Sequence, residues 1–471
     1  MSARVEPRDA RGKALAVNLD ARRYGTFAEI GAGQEVVRWF FRVGGAAGTI
    51  AKSISAYDMT VSDAIYGPCH RYVCRERLLS MLEREQLLLR ERLAESRGAE
   101  TAFFSFADTV TARSFKGTGE CHGWMGIKFQ AEPCEPASQI LLHVRMLDGD
   151  AAQQQEALGI VGVNLVYGAA FLYGDPERLL RSLLDDLSTD RIEIDLIEFG
   201  GARFSEVDNR VMSLRLVELG LSGVAAFGPD GALLQPSELL HGKPVLIERG
   251  SFRPVTRVHL DMIGCARQAF RAELGGEEPV VLAEITMRNL LSEGALDLRD
   301  FLDRADALAA MGYTVLISNY FEYFKLASFV ARHTRKPIAL VMGANLLREV
   351  FEERFYDELD GGILEAFGRL FRNHLRVFVY PFLDPITQRV VDARSLEVPK
   401  GLAQLHGYLC ERGSLVPLSG YDERLLPFYS KQVLDSIRKG TRAWEDAVPE
   451  RVARLIRERG LFGFGSERPR A

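Results

Sequence analysis

Glutamate, arginine and asparagine recur at one kind of place in this chain, at the ends of short apolar runs of strand character. "IEIDLIEF" (192–199) carries Glu198 and continues into Gly-Gly, and "PVLIE" (244–248) continues as Glu248-Arg249-Gly-Ser251-Phe-Arg253. "PVVLAEI" (279–285) carries Glu284 and is followed by Thr286-Met-Arg288-Asn289. "YTVLIS" (313–318) leads to Asn319-Tyr320, and "PIALVM" (337–342) to Gly343-Ala-Asn345. A glutamate tuned by burial serves as general acid or base, and arginine offers a planar fork to phosphate or carboxylate. Glu198, Glu248 and Glu284 are therefore the catalytic candidates. Arg249, Arg253, Arg288, Asn289, Asn319 and Asn345 are the candidate binders of an anionic substrate. The competing reading makes these same charges structural ion pairs across a sheet rim.

Two glycine-rich stretches offer further chemistry. "RSFKGTGECHGW" (113–124) sets Arg113, Lys116, His122 and Trp124 around three glycines, a loop able to close over an anion; Lys116 and His122 join the substrate-binding set. "RVGGAAGTIAKSISAYD" (42–58) has the ingredients of a phosphate loop, but aligning GxxxxGK[ST] on Lys52-Ser53 puts Ala46 and Ala51 where glycines belong. The preceding "GQEVVRWFFRV" reads as a helix and not as the required strand, so a Walker site is rejected. Two readings stay open: an anion-friendly nest at the start of a helix carrying Lys52, or a junction of two helices. Cys69, His70, Cys74, Cys121 and His122 match no common zinc spacing, and no metal site is expected.

These residues need a scaffold, and the chain of 471 residues is too long for one ordinary core. Residues 1–190 read as an α+β region: a helix from near Arg71 bearing Leu78, Leu82, Leu89 and Leu93, then strands at 101–110, 124–130 and 139–147. From 191 to 420, eight Val-, Ile- and Leu-rich runs alternate with helical periods: the five above and those at 223–227, 375–380 and 414–418. Continuous apolar runs separated by helices signify parallel strands covered on both faces, hence an α/β class. A barrel-like β/α arrangement and an open doubly wound sheet fit equally. Residues 421–471 read as a helical extension.

Composition narrows the partners. A net charge of -5 with interleaved Arg, Asp and Glu lacks the basic stripe of a nucleic-acid binder. The charged N-terminal segment has no apolar signal core, and the uncharged "ALGIVGVNLVYGAAFLYG" (157–174) carries four glycines and Asn164, so a buried helix is expected and not a membrane span. A cytoplasmic protein with an anionic small-molecule partner is the expectation, without nucleic acid or membrane. No cofactor signature is read.

At "FAEIGAGQEVVRWFFRVGGAAGTIAKSISAYDM", "ECHGWMGIKFQ" and "GGILEAFGRLF" the chain resembles a bacterial family whose members carry inconsistent names, among them nicotinate-nucleotide adenylyltransferase. That name implies a transferase moving a nucleotidyl group from ATP. Enzymes of that kind use His-x-Gly-His on the ATP phosphates, and none of the eight histidines here stands in that pattern. No catalytic residue follows from the resemblance. The residues themselves support an enzyme acting on an anionic, phosphorylated or nucleotide-type small molecule, or else a non-catalytic binding or assembly protein.

Overall fold

The computed structural model describes residues 6–111, 121–291 and 294–465. They form two compact units, Met1–Gly223 and Val224–Ala471.

The first unit is built on a six-stranded sheet of β1 (Arg23–Gly31), β2 (Ile50–Ala56), β3 (Ala102–Thr111), β4 (His122–Phe129), β5 (Ser138–Met146) and β6 (Ile192–Gly200), in the order β2-β1-β3-β4-β5-β6. β2, β1 and β3 run parallel, and β3 to β6 are antiparallel neighbours. The helix Arg75–Arg97 buries Leu78, Met81, Leu82 and Leu89, the stripe its spacing demands. The run at 192–199, expected to open the second region, is instead the edge strand of this sheet, and the unit boundary falls at 223.

The uncharged segment forms a helix, Ala151–Phe171, buried from Ala157 to Ala170. Asp150 caps it by accepting from the N–H groups of Ala152 and Gln153. No helix among the described residues is long and apolar enough to cross a membrane. Asn164 is buried because it is fully engaged: its Oδ1 accepts from Lys13 Nζ (2.9 Å), and its Nδ2 donates to the carbonyls of Leu183 and Asp185. The glycines serve packing, since a Cβ on Gly162 would lie 2.3 Å from Val36 Cγ2 and one on Gly159 2.8 Å from Trp39 Nε1. Gly162→Ala should therefore destabilise the first unit by about 1–3 kcal/mol, the usual cost of overpacking. Urea unfolding followed by Trp39 and Trp124 fluorescence checks this, and an unchanged midpoint would remove the steric argument.

Backbone geometry decides between the two readings of residues 42–58. The helix Val36–Val43 ends at Gly44 and Gly45, with φ of 82° and 77° that only glycine adopts freely. A single 3-10 turn, Ala46–Gly48, then leads into β2, so Lys52 sits on a strand and pairs with buried Glu85 at 2.5 Å. Both the nest-at-a-helix and the helix-junction readings are corrected: the glycines turn the chain from helix to strand.

The second unit is an open sheet. Its strands are β7 (Val224–Phe227), β8 (Leu233–Leu234), β9 (Val245–Arg249), β10 (Val280–Thr286), β11 (Thr314–Ser318), β12 (Ile338–Gly343), β13 (Arg376–Tyr380) and β16 (Leu415–Pro417), while β14 (Phe382–Leu383) and β15 (Val390–Val391) form a separate hairpin. The order is β16-β13-β12-β9-β10-β11-β7-β8. From β11 to β16 all pairings are parallel; β7 is antiparallel to β11. Counted in chain order, the six parallel strands stand 3-2-1-4-5-6 when read from the β11 edge as 3-2-1 and onward to β16, so the chain reverses direction across the sheet between β9 and β12. The barrel alternative is excluded because β16 and β8 are edges. The segment after 420 belongs to this unit: Arg459 pairs with Asp306 at 3.0 Å, and Phe462 N–H donates to Asp303.

Candidate functional site

In a doubly wound sheet, ligands sit beyond the carboxyl ends of the strands near the reversal point. A cavity of about 390 Å³ lies there. Its walls come from the carboxyl ends of β9 and β10 and the segments that follow them (Arg249, Gly250, Ser251; Thr286, Arg288, Asn289), from the segment after β11 (Phe321, Glu322, Tyr323), and from the helix Ala344–Val350 after β12 with Phe355 and Tyr356 beyond it.

Arg249 is held tightly at its floor. Its Nε and Nη2 donate to the two oxygens of Glu284 at 2.6 and 2.9 Å, and its remaining donors reach the carbonyls of Tyr320 and Phe321. Ser318 Oγ also donates to Glu284, which is fully buried. The Arg249 guanidinium lies 4.3 Å from the centre of the Tyr323 ring. Burial, the leading influence on Tyr323, drives its phenol well above the ordinary tyrosine range, and its hydroxyl has no hydrogen-bond partner among the described residues.

Arg288 differs from Arg249. It is exposed, lies 4.0 Å from the centre of the Phe321 ring, and makes no ion pair among the described residues. Asn289 is anchored by its Nδ2 to the carbonyl of Gly250, and Thr286 caps the turn by accepting from Asn289 N–H. Glu349, which the sequence did not single out, also lines the cavity and makes no ion pair among the described residues.

The remaining candidates fall elsewhere. Arg253 pairs with Asp300, which also holds buried Arg304, so it is a structural cation. Glu248 and Glu284 stand on opposite faces of the sheet, because in the parallel register Glu248 neighbours Ala283 while Glu284 neighbours Arg249. Burial alone pushes the Glu248 carboxyl far up, and neither of its oxygens has a partner among the described residues. Glu198 belongs to the first unit and pairs with Arg75 at 2.7 Å. Glu248 and Glu284 therefore do not converge on one site. Asn319 and Asn345 are exposed and do not line this cavity. Lys116 lies outside the described residues. His122 is on β4, with Nδ1 3.0 Å from His143 Nε2. Cys69 and Cys74 approach to 3.4 Å, yet no group of three or more His, Cys, Asp or Glu among the described residues is arranged to hold a metal.

Sequence reading also missed buried acids in the first unit. Glu29 and Asp108 are direct neighbours on the parallel pair β1 and β3, and both are buried. Glu29 accepts from Val36 N–H at 2.8 Å, at the start of the helix Val36–Val43. The detectable signal was a lone acid inside each apolar strand, in "TFAEIG" and "FFSFADTV".

No family model and no curated protein matches the chain. Among solved structures, it is similar to the competence/damage inducible protein CihA from Agrobacterium tumefaciens, at 16% identity and a TM-score of 0.25, over 36% of this chain and 99% of that one. It is likewise similar to the competence or damage-inducible protein from Enterobacter asburiae (14% identity, TM-score 0.25, 34% and 98%). A superfamily protein of the competence-damaged (CinA) type from Enterobacter cloacae gives 14% identity and a TM-score of 0.24, over 36% and 96%. Scores this low support no inference about fold or function. None of the three carries the adenylyltransferase name.

Proposed function

We propose that the second unit binds a small anionic molecule of nucleotide type, with its anionic group on Arg288 and its planar part against Tyr323 and Phe355. The observation that carries this reading is one cavity, at the carboxyl ends of parallel strands, presenting both an arginine without an acid partner and a buried phenol without a hydrogen-bond partner among the described residues. Its volume lies within the range usual for small-molecule sites, roughly 300–1,000 Å³. Aromatic side chains (Phe321, Tyr323, Phe355, Tyr356) make up much of its wall.

Binding is better supported than catalysis. Glu284 has both carboxylate oxygens engaged by Arg249 and Ser318 and does not line the cavity. Glu248 faces the other side of the sheet. Of the two acids that line the cavity, Glu322 pairs with Lys325 at 2.9 Å, and Glu349 makes no ion pair among the described residues.

Titration calorimetry with AMP as the probe tests the proposal. Wild type should bind, and Arg288→Ala should lose about ten- to a hundredfold in affinity, the scale of a charge-assisted hydrogen bond. Its melting temperature without AMP should be unchanged, because Arg288 is exposed and holds no partner acid. AMP that fails to bind wild type, or binds Arg288→Ala equally well, rules the reading out.

A further inference from the structure

The second unit holds a further cavity, of about 590 Å³, between the helices Tyr323–His333 and Gly362–Leu370. Its wall follows the first of these helices from Lys325 to Arg332 and reaches Ile338 and Leu375, at the amino ends of β12 and β13. The floor is apolar, made by buried Ala327, Phe329, Leu370 and Leu375.

The charges around this floor are all of one sign. Four charged side chains line the cavity, and all are cations: Lys325, Arg332, Arg369 and Arg372. Two have an acid of their own within a helical turn, Glu322 for Lys325 at 2.9 Å and Glu365 for Arg369 at 2.5 Å. Neither acid lines the cavity. Arg332 and Arg372 make no ion pair among the described residues; Arg332 lies 5.4 Å from the centre of the Phe329 ring.

Nothing in the packing of two helices calls for this arrangement. Cations gathered in one concavity repel one another, and an apolar wall focuses their field on whatever enters. The backbone beside Arg372 is also unusual. Asn373, which lines the cavity, and His374 after it have φ of 55° and 57°, a region that residues with a Cβ enter only at a cost. Strain of this kind concentrates at ligand sites.

We propose that this cavity binds a small organic phosphate, with the phosphate held by Arg332 and Arg372 and an apolar body on Ala327, Phe329 and Leu370. Two unpaired guanidinium groups match a dianion with three acceptor oxygens, whereas a single carboxylate would occupy one fork. The apolar floor adds affinity for the body that inorganic phosphate lacks. The volume is in the range usual for such ligands. This site is separate from the cavity of Arg288 and does not depend on what binds there.

Naphthyl phosphate is the probe, titrated by calorimetry, with naphthol and inorganic phosphate as its two halves. Wild type should bind naphthyl phosphate at least about tenfold more tightly than either half. The double variant Arg332→Gln with Arg372→Gln should lose about tenfold or more of that affinity. Its melting temperature without the probe should not fall, because both arginines are exposed and neither releases an acid. Arg288→Ala should retain the binding, which separates this site from the other cavity. Naphthyl phosphate that fails to bind wild type, binds no better than its halves, binds the double variant equally well, or is lost in Arg288→Ala would each overturn the proposal.

Discussion

Arg249→Ala should destabilise the second unit by about 3–5 kcal/mol, the cost of breaking a buried ion pair from one side. The substitution leaves Glu284, fully buried, with the Ser318 hydroxyl in place of a bidentate guanidinium. It also strips a donor from the carbonyls of Tyr320 and Phe321. Removing both charges is different: Arg249→Met with Glu284→Leu eliminates the stranded carboxylate and should recover most of the loss. Trp444, the one tryptophan of the second unit, reports its unfolding in urea. A single variant as stable as wild type would mean that Arg249 is not committed to the fold. The clamp reading, in which Arg249 serves the ligand, would then regain its ground.

That contrast between Arg249 and Arg288 was not visible in the sequence. Both follow a strand by a similar distance, and both sit in a segment rich in Gly, Ser and Asn. What separates them is their place in the fold: Arg249 ends β9 opposite Glu284, whereas Arg288 lies in the short helix Met287–Leu290 after β10 and makes no ion pair among the described residues. Likewise Glu248 and Arg249 are adjacent in the chain, yet strand alternation sends them to opposite faces. Strand ends were legible because apolar runs are continuous; convergence was not, because it depends on the order of strands. The misplaced boundary has a similar cause. "IEIDLIEF" alternates apolar and acidic residues, the pattern of an antiparallel strand, whereas "PVVLAEI" and "PIALVM" are nearly continuous. Weighing that alternation would have assigned the run to the first sheet. His122 was chosen for its glycine-rich loop, but in the fold it stands on β4 beside His143, which in turn meets Asp195, residues 21 and 73 positions away in the chain.

The first unit should lose stability as pH rises from about 4.5 to 8, through Glu29, which stands beside Asp108. Burial is the main cause that raises Glu29 from an ordinary value near 4.5 to about 8, opposed by the N–H groups of Val36 and Val37. Burial also drives Asp108 well above its ordinary value, and the Glu29 carboxylate beside it pushes in the same direction. Below pH 4.5, Glu29 holds its proton in both folded and unfolded chains, and the full contribution to stability is present. Between 4.5 and 8 the unfolded chain releases the proton while the folded one keeps it, so unfolding gains. Above 8 the folded carboxyl ionises as well and the loss levels off. A tenfold difference in proton affinity between the folded and unfolded chains is worth about 1.4 kcal/mol, which places the change for Glu29 at about 3–5 kcal/mol. Other carboxylates titrate at the acid end, so the comparison with Glu29→Gln isolates the effect. The amide oxygen can still accept from Val36 N–H, and its NH2 group can donate to Asp108. The stability of Glu29→Gln relative to wild type, read from Trp39 and Trp124, should therefore rise by several kcal/mol between about pH 5 and about pH 8.5, values chosen to bracket the titration. A difference that stays constant with pH would mean that the pair is already ionised in the folded protein, its charge balanced by the amino end of the helix Val36–Val43.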